Sequence, residues 1–180
     1  MEKEKLKHLN FKEILKGIEA FFFDIDGVLS SSRVMVMDNG ELYRTTNVKD
    51  GYALKHALKQ GIKIFIISGG LNTDIQKRFQ NLGIENVTIA CSDKLQEFNK
   101  IIKENKISPD KVLYMGDDIP DYPIMKKVGL PCCPADAASE IKEISLYISD
   151  KNGGDACVRD IVEQVLRARG SWMNKDSFTT

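Results

Sequence analysis

Short apolar runs alternate along the chain with longer amphipathic segments. The runs rich in β-branched and aromatic residues predict strands at 20–23, 63–67, 87–90, 111–115, 130–133 and 146–148. Segments with helical periodicity lie between or after them and predict helices near 51–59, 72–82, 94–104, 121–128, 137–143 and 155–169. Strands separated by helices of this length form right-handed crossovers, so the pattern predicts an α/β fold, a doubly wound parallel sheet with helices on both faces.

One insertion after the first strand interrupts this alternation. Residues 33–37 and 41–45 form two short arms, and the Asn-Gly pair at 39–40 is a strong signal for a tight hairpin turn. The sequence holds no second insertion long enough to fold as a cap over the sheet. We therefore expect a single domain at 1–170, carrying this hairpin, and a tail at 171–180.

The hairpin arms carry apolar residues on both faces. These residues are Val34, Met35, Val36, Met37, Leu42 and Tyr43. An isolated two-stranded ribbon is marginally stable in water, so the pattern favours packing of the 33–45 hairpin against copies of itself in a closed symmetric assembly. A hairpin folded back on its own domain is the alternative.

Charge and composition exclude several classes of function. Lysine plus arginine and aspartate plus glutamate both number 26, a balance that argues against a general nucleic-acid or anionic-membrane binder. No apolar run approaches the ~20 residues of a membrane span. The four cysteines lack CxxC spacing, which favours reduced thiols in a cytosolic protein. Only His8 and His56 are present, which argues against zinc hydrolases and histidine-dependent triads.

Two carboxylates follow the first predicted strand in the motif Asp24-Ile25-Asp26-Gly27. The twofold period of a strand puts Asp24 and Asp26 on one face, and Gly27 permits the turn that follows. Aspartates that only cap turns are the alternative for this pair.

A second pair, Asp117-Asp118, follows the predicted strand 111–115. Neighbouring strand ends converge in such a sheet, so Asp24, Asp26 and Asp117 can meet, and a hard cation such as Mg²⁺ would compensate their repulsion. We expect Asp118 or Asp121 to cap the next helix.

Two further groups suit a phosphate. Ser68-Gly69-Gly70 follows strand 63–67 and presents a hydroxyl and backbone N–H groups to an anion. Lys94 lies at the start of a predicted helix, where a cation opposes the helix dipole and can instead balance anions. Either feature alone also occurs in an ordinary strand-to-helix loop or as a solvated lysine.

Taken in order, Asp-x-Asp, Ser-Gly, Lys and Gly-Asp-Asp, each after its own strand, resemble the haloacid dehalogenase superfamily of aspartate-nucleophile phosphatases. The resemblance spans about residues 20–169. It implies that Asp24 is the nucleophile and that Asp26 is the general acid and base. It also implies that Ser68, Gly69 and Lys94 bind phosphate, and that Mg²⁺ is held by Asp24, Asp117 and the main-chain carbonyl of Asp26.

The segments 47–52, 92–95, 116–118, 153–154 and 158–159 are similar to the capless subfamily of 3-deoxy-D-manno-octulosonate 8-phosphate (Kdo-8-phosphate) phosphatases. That resemblance implies cytoplasmic synthesis of a lipopolysaccharide sugar and tetramers formed through the hairpin. It assigns substrate contacts to Asn47, Val48, Lys49, Asp50, Gly51, Lys55, Gly70 and Arg78. Two positions depart from the family: Gly70 stands where Arg is common, or Glu in a nonulosonate-phosphate relative, and Ala156 replaces a glycine.

Three other functions stay open at this point. A phosphatase acting on a nine-carbon, sialic-acid-type 9-phosphate would share the same motifs. A receiver-type signalling module also combines carboxylates, Mg²⁺, a hydroxyl and a lysine, although its acidic pair and its phosphorylated aspartate lie on different strands. A catalytically silent interaction protein would not need the whole set of site residues.

Overall fold

The computed structural model describes residues 11–178, so the first ten residues of the predicted domain and the last two of the tail lie outside it. The strands are β1 (Ala20–Phe23), β2 (Met35–Val36), β3 (Leu42–Tyr43), β4 (Lys63–Ile67), β5 (Asn86–Thr88), β6 (Val112–Met115), β7 (Leu130–Cys133) and β8 (Tyr147–Ile148). Six of them form one parallel sheet in the order β5-β4-β1-β6-β7-β8, and β2 pairs with β3. The predicted α/β fold with a hairpin insertion is confirmed.

Helices connect the strands on both faces of the sheet. They are α1 (Phe11–Gly17), α2 (Val48–Lys59), α3 (Thr73–Gln80), α4 (Lys94–Glu104), α5 (Tyr122–Met125), α6 (Ser139–Ile144) and α7 (Cys157–Ala168). Short 3₁₀ turns lie at Pro109–Lys111, Ile119–Asp121 and Lys175–Phe178. None of the helices within residues 11–178 has the length and apolar character that crossing a bilayer needs.

Side chains of β1 divide the core into two layers. Phe21 and Phe23 face the layer built with α1, α2, α3 and α7, whereas Ala20 and Phe22 face the layer built with α4, α5 and α6. The alternation follows from the twofold period of a strand, and every residue of β1 is buried because the sheet is covered on both faces. Asp24 therefore lies at the carboxyl end of a buried central strand.

Element ends differ from the predicted ones where polar groups intervene. Helix α2 begins at Val48 rather than 51, because the Asn47 side chain accepts a hydrogen bond from the Lys49 N–H and caps the first turn. Strand β5 ends at Thr88 rather than 90, because Ala90 adopts a left-handed backbone with φ of 53°. Helix α1 has no counterpart among the predicted elements.

The hairpin strands are shorter than the predicted arms 33–37 and 41–45. Only Met35 with Tyr43 and Val36 with Leu42 pair, and the Gly40 turn has φ of +82°. At the other end of the chain, Trp172 is buried against the domain, with the Arg159 guanidinium 4.4 Å from its ring centroid. Residues 171–178 thus pack on the domain that precedes them.

Candidate active site

The site begins at Asp24, the first residue after β1. The Asp24 main-chain N–H donates to the Met115 carbonyl at 3.1 Å, which ties the residue to β6. Its Oδ1 accepts from the Ile25 N–H at 2.7 Å, and its Oδ2 lies 2.9 Å from the Lys94 ammonium nitrogen. Asp24 is 7% exposed, so its carboxylate is held in a fixed position at the edge of the sheet.

A buried carboxylate, Asp121, anchors the same lysine from the other side. Its Oδ1 accepts from Lys94 at 2.8 Å and from the Tyr114 hydroxyl at 2.7 Å, and its Oδ2 accepts from the Asp117 N–H at 3.2 Å. Burial alone would lower the pKa of Lys94, but the charges of Asp24 and Asp121 outweigh it and raise that pKa. Lys94 is therefore a permanently charged bridge between two carboxylates.

Asp117 completes the acidic cluster. One carboxylate oxygen each from Asp24, Asp117 and Asp121 lie within 4.8 Å of one another. Gly27 makes room for Asp117, since a Cβ on Gly27 would stand 1.9 Å from its Oδ2. Among residues 11–178, no hydrogen-bond donor reaches the Asp117 carboxylate.

Burial makes the charged forms of this cluster costly. It raises the pKa of Asp24 to about 7, with the negative charge of Asp121 as the next cause. Burial likewise raises the pKa of Asp117 to about 7, followed by the charge of Asp24. A bound cation would stabilise the ionised forms of both carboxylates, because it offsets their mutual repulsion. Asp24 and Asp117 are therefore the pair suited to a hard metal ion.

The turn after β4 supplies an anion-binding group. Ser68 is buried, and its Oγ accepts from the Gly70 N–H at 3.2 Å, so the hydroxyl proton remains to be donated. A cavity of about 610 Å³ is lined by seven of the predicted site residues: Asp24, Asp26, Ser68, Gly69, Gly70, Lys94 and Asp117. The convergence expected from strand order is thus present in the folded chain.

The predicted substrate contacts are less tightly grouped. Arg78 lines a second cavity, of about 660 Å³, between the hairpin and α3. Val48, Lys49 and Lys55 are exposed and line neither cavity. The remaining three are engaged elsewhere in the domain: the Asn47 amide donates to the Gly154 carbonyl at 3.2 Å, Gly51 packs beside Arg78, and Asp50 is buried with its Oδ1 accepting from the Arg159 N–H.

Two members of the site were not identified from the sequence. The sequence predicts no more than a capping role for Asp118 or Asp121, and Asp118 performs that role by accepting from the Ile119 N–H at 2.8 Å. Asp121 lies four residues after Asp117, a spacing of about one helical turn. This spacing is the sequence signal that the Asp121 side chain lies next to the end of strand β6. Arg44 forms an ion pair with Asp26, and no feature of the local sequence predicts that contact.

The fold and this site define the class of protein, a haloacid dehalogenase-like hydrolase, and the family profile of that description matches residues 87–161. The 3-deoxy-D-manno-octulosonate 8-phosphate phosphatase KdsC of Salmonella typhi is 35% identical over 155 residues, covering 86% of this chain and 82% of the relative. This chain belongs to that family of phosphatases.

Solved structures agree with this assignment. The 3-deoxy-D-manno-octulosonate 8-phosphate phosphatase from Yersinia pestis has a TM-score of 0.86 at 29% identity, over 89% of this chain and 86% of that one. The enzyme of the same name from Moraxella catarrhalis, in complex with magnesium, phosphate and a KDO molecule, also has a TM-score of 0.86 at 29% identity. It aligns over 91% of this chain and 94% of its own. The predicted phosphoric monoester hydrolase activity is confirmed at the level of the family, and the receiver-type alternative is not favoured.

Proposed function

We propose that this protein is a Mg²⁺-dependent phosphomonoesterase that hydrolyses Kdo-8-phosphate to Kdo and phosphate. The observation that carries the proposal is the 2.9 Å contact between Asp24, at the end of β1, and the Lys94 ammonium. A buried carboxylate beside a fixed cation combines the nucleophile and the anion-binding group that phosphoryl transfer needs. Membership of the family supports the substrate, because relatives at 35% identity carry that name.

Asp24 and Asp117 would hold Mg²⁺ together with the main-chain carbonyl of Asp26. The donor set fits a hard cation, because it consists of oxygens and the Asp117 carboxylate has no donor from the described part of the chain. The magnesium in the Moraxella catarrhalis complex supports this choice. When bound, the ion supplies positive charge that offsets repulsion between Asp24 and the phosphate dianion.

Asp24 attacks phosphorus. A bond forms between phosphorus and a carboxylate oxygen of Asp24, the bond to the sugar oxygen breaks, and an aspartyl-phosphate results. The Ser68 hydroxyl, the Gly69 backbone and Lys94 hold the non-bridging oxygens, where negative charge must be stabilised. Asp121 keeps Lys94 in place for this task through the 2.8 Å ion pair.

Asp26 moves the protons. It would protonate the leaving sugar oxygen in the first step and take a proton from the water that hydrolyses the aspartyl-phosphate in the second. Its carboxylate lies on the wall of the same cavity as Asp24, and Ser30 donates to its Oδ1 at 3.3 Å. An alkoxide leaving group makes this proton transfer essential, since an alkoxide is a poor leaving group without it.

The sugar-acid end of the substrate would lie toward the second cavity. Arg78 faces that cavity and offers a fork of donors that matches a carboxylate. Gly51 packs beside Arg78, Gly70 lines the phosphate cavity beside Asp26, and the Asn47 amide donates to the Gly154 carbonyl. Val48, Lys49, Asp50 and Lys55 complete the contact set proposed from the family.

We also propose a homo-oligomer, with a tetramer built through the 33–45 hairpin. Met35, Val36 and Tyr43 are 67%, 69% and 58% exposed, so most of their apolar surface has no cover within the described chain. A copy of the same hairpin is self-complementary and would cover it in a closed assembly. The cytoplasm is the proposed location, supported by four free cysteines, three of them buried.

A substrate panel tests the proposed activity. Kdo-8-phosphate, a nine-carbon sialic-acid-type 9-phosphate, glucose 6-phosphate and p-nitrophenyl phosphate would each be assayed for kcat/KM with Mg²⁺. We expect the largest value for Kdo-8-phosphate, loss of turnover in Asp24→Asn, and unchanged turnover in the remote surface variant Asp110→Asn. A larger value for the nine-carbon ester would contradict the substrate proposed here.

A further inference from the structure

Arg44, at the end of the hairpin, occupies both carboxylate oxygens of Asp26. Its Nε lies 2.5 Å from Oδ1 and its Nη2 lies 2.9 Å from Oδ2, a bidentate pair formed across 18 residues of sequence. The Arg44 side chain is 6% exposed and that of Asp26 is 33% exposed. In this arrangement both oxygens of Asp26 are engaged, Oδ1 by Arg44 and Ser30 and Oδ2 by Arg44.

The guanidinium can sit there because residue 70 has no side chain. A Cβ on Gly70 would stand 3.1 Å from Asp26 Oδ2 and 3.3 Å from Arg44 Nη2. The backbone of Gly70 is not among the left-handed positions, so the site would accept other residues conformationally. Any long side chain at position 70 would compete with Arg44 for the same space.

Arg44 also faces the cavity that lies beside the phosphate site. That cavity is lined by Arg44 and Arg78, with Asn72 between the hairpin and α3, where its amide donates to the Leu42 carbonyl at 3.2 Å. Asp74 lines it too, but Asp74 pairs with Lys77 at 3.3 Å. Two arginines that line one cavity can bind a carboxylate more strongly than one.

We propose that Arg44 is a specificity-determining residue. When a substrate with a carboxylate binds, Arg44 breaks its ion pair with Asp26 and forms one with the carboxylate of the substrate. Without such a carboxylate, Arg44 stays on Asp26 and blocks the general acid. A sugar-acid phosphate offers Arg44 a second anion, the guanidinium turns to it, and Asp26 is released toward the leaving oxygen. The proposal rests on the proposed function, since it assigns the substrate's second negative charge a role in opening the site.

The exchange predicts opposite effects on two substrates. Arg44→Gln should lower kcat/KM for Kdo-8-phosphate by about tenfold to a hundredfold, the usual range for losing a charged hydrogen-bonded contact. The same variant should raise kcat for glucose 6-phosphate, which has no carboxylate, because Asp26 is no longer blocked. Turnover of p-nitrophenyl phosphate, whose leaving group needs little protonation, should change by less than about twofold.

A second variant separates the release of Asp26 from the recognition of the substrate carboxylate. Arg44→Lys keeps a cation for the substrate carboxylate but cannot form the bidentate pair with Asp26, so turnover of glucose 6-phosphate should rise, while the loss on Kdo-8-phosphate should be smaller than in Arg44→Gln. Arg167→Gln is the matched control, because Arg167 is an exposed arginine on α7, outside the hairpin, and lines neither cavity.

The outcomes are distinguishable. Parallel losses on Kdo-8-phosphate and glucose 6-phosphate in Arg44→Gln, or no change on either, would overturn the exchange. Wild-type protein that prefers another carboxylate-bearing sugar phosphate would contradict the proposed substrate instead, and the Arg44 comparison would then be made with that ester against glucose 6-phosphate.

Discussion

The ammonium of Lys94 lies 2.8 Å from the buried carboxylate of Asp121, at the floor of the acidic cluster. Asp121 is fully buried and uses its two oxygens for three donors, from Lys94, Tyr114 and the backbone of Asp117. The same side chain therefore sets the position of the phosphate-binding lysine and of the loop that carries a proposed metal ligand.

Replacing Asp121 with asparagine should displace both Lys94 and the loop that carries Asp117. The amide can still accept from Lys94, but its NH₂ would face the Asp117 N–H, so one donor meets another. We expect kcat to fall by about tenfold to a hundredfold, the cost of an unsatisfied buried contact. Steady-state kinetics would measure it, with Tyr114→Phe as a control that removes one donor and leaves both other contacts. A fall no larger than that of the control would contradict this role.

Asp26→Asn should distinguish the general acid from the nucleophile. Its first-turnover rate should collapse with a sugar phosphate, whose alkoxide needs a proton, and fall much less with p-nitrophenyl phosphate, whose leaving group does not. Burst-phase kinetics would isolate the first step from hydrolysis of the aspartyl-phosphate. Equal losses of the burst rate on both esters would exclude Asp26 as the general acid.

Stabilisation by Mg²⁺ should increase with pH. Asp24 and Asp117 have folded pKa values raised to about 7 from a usual 3.8, so the metal-free folded protein binds more protons than the unfolded chain between these values. Its stability therefore falls as pH rises from about 4 to about 7. Mg²⁺ binds the deprotonated carboxylates, so the rise in Tm that it produces should be larger at pH 8 than at pH 6.

Thermal unfolding at the two pH values, with Mg²⁺ and with EDTA, would measure this difference. Asp117→Asn removes one proposed ligand and should abolish most of the rise in Tm. A pH-independent rise that persists in Asp117→Asn would argue that the cation binds elsewhere.

The hairpin should determine the oligomeric state. Val34 and Val36 are 37% and 69% exposed, and replacing both with aspartate would place four charges per dimeric contact in an apolar ribbon. We expect the assembly to dissociate, as measured by light scattering, and activity on the sugar phosphate to decrease. Asn99→Asp adds a charge on an exposed face of α4 and serves as the control. A wild-type protein that is monomeric and fully active would contradict the proposed assembly.

The features that local pattern encodes were predictable from the sequence. Strand β1, the Asp24 and Asp26 pair and the strand end at Asp117 follow from apolar runs that stop at polar turns, and parallel topology brings those ends together. Family resemblance, rather than spacing, supplied the roles of these residues.

Features that depend on distant contacts were not predictable. Arg44 meets Asp26 only because the chain that follows β3 passes beside Gly70, and Asp121 becomes buried only when Lys94 and Tyr114 pack against it. Helix α1, which packs against α7, is likewise absent from the predicted elements. Trp172 is also buried by contacts with residues of other elements, namely Arg159, Tyr52 and His56.

Acid-quenched single turnover of wild-type protein with Mg²⁺ and Kdo-8-phosphate would test directly whether Asp24 is the nucleophile. We expect the peptide containing Asp24 to gain transiently the mass of one phosphoryl group, and neither Asp24→Asn nor EDTA-treated protein to show this gain. Turnover of Kdo-8-phosphate at full rate in Asp24→Asn, or a phosphoryl group mapped to another residue, would contradict this role.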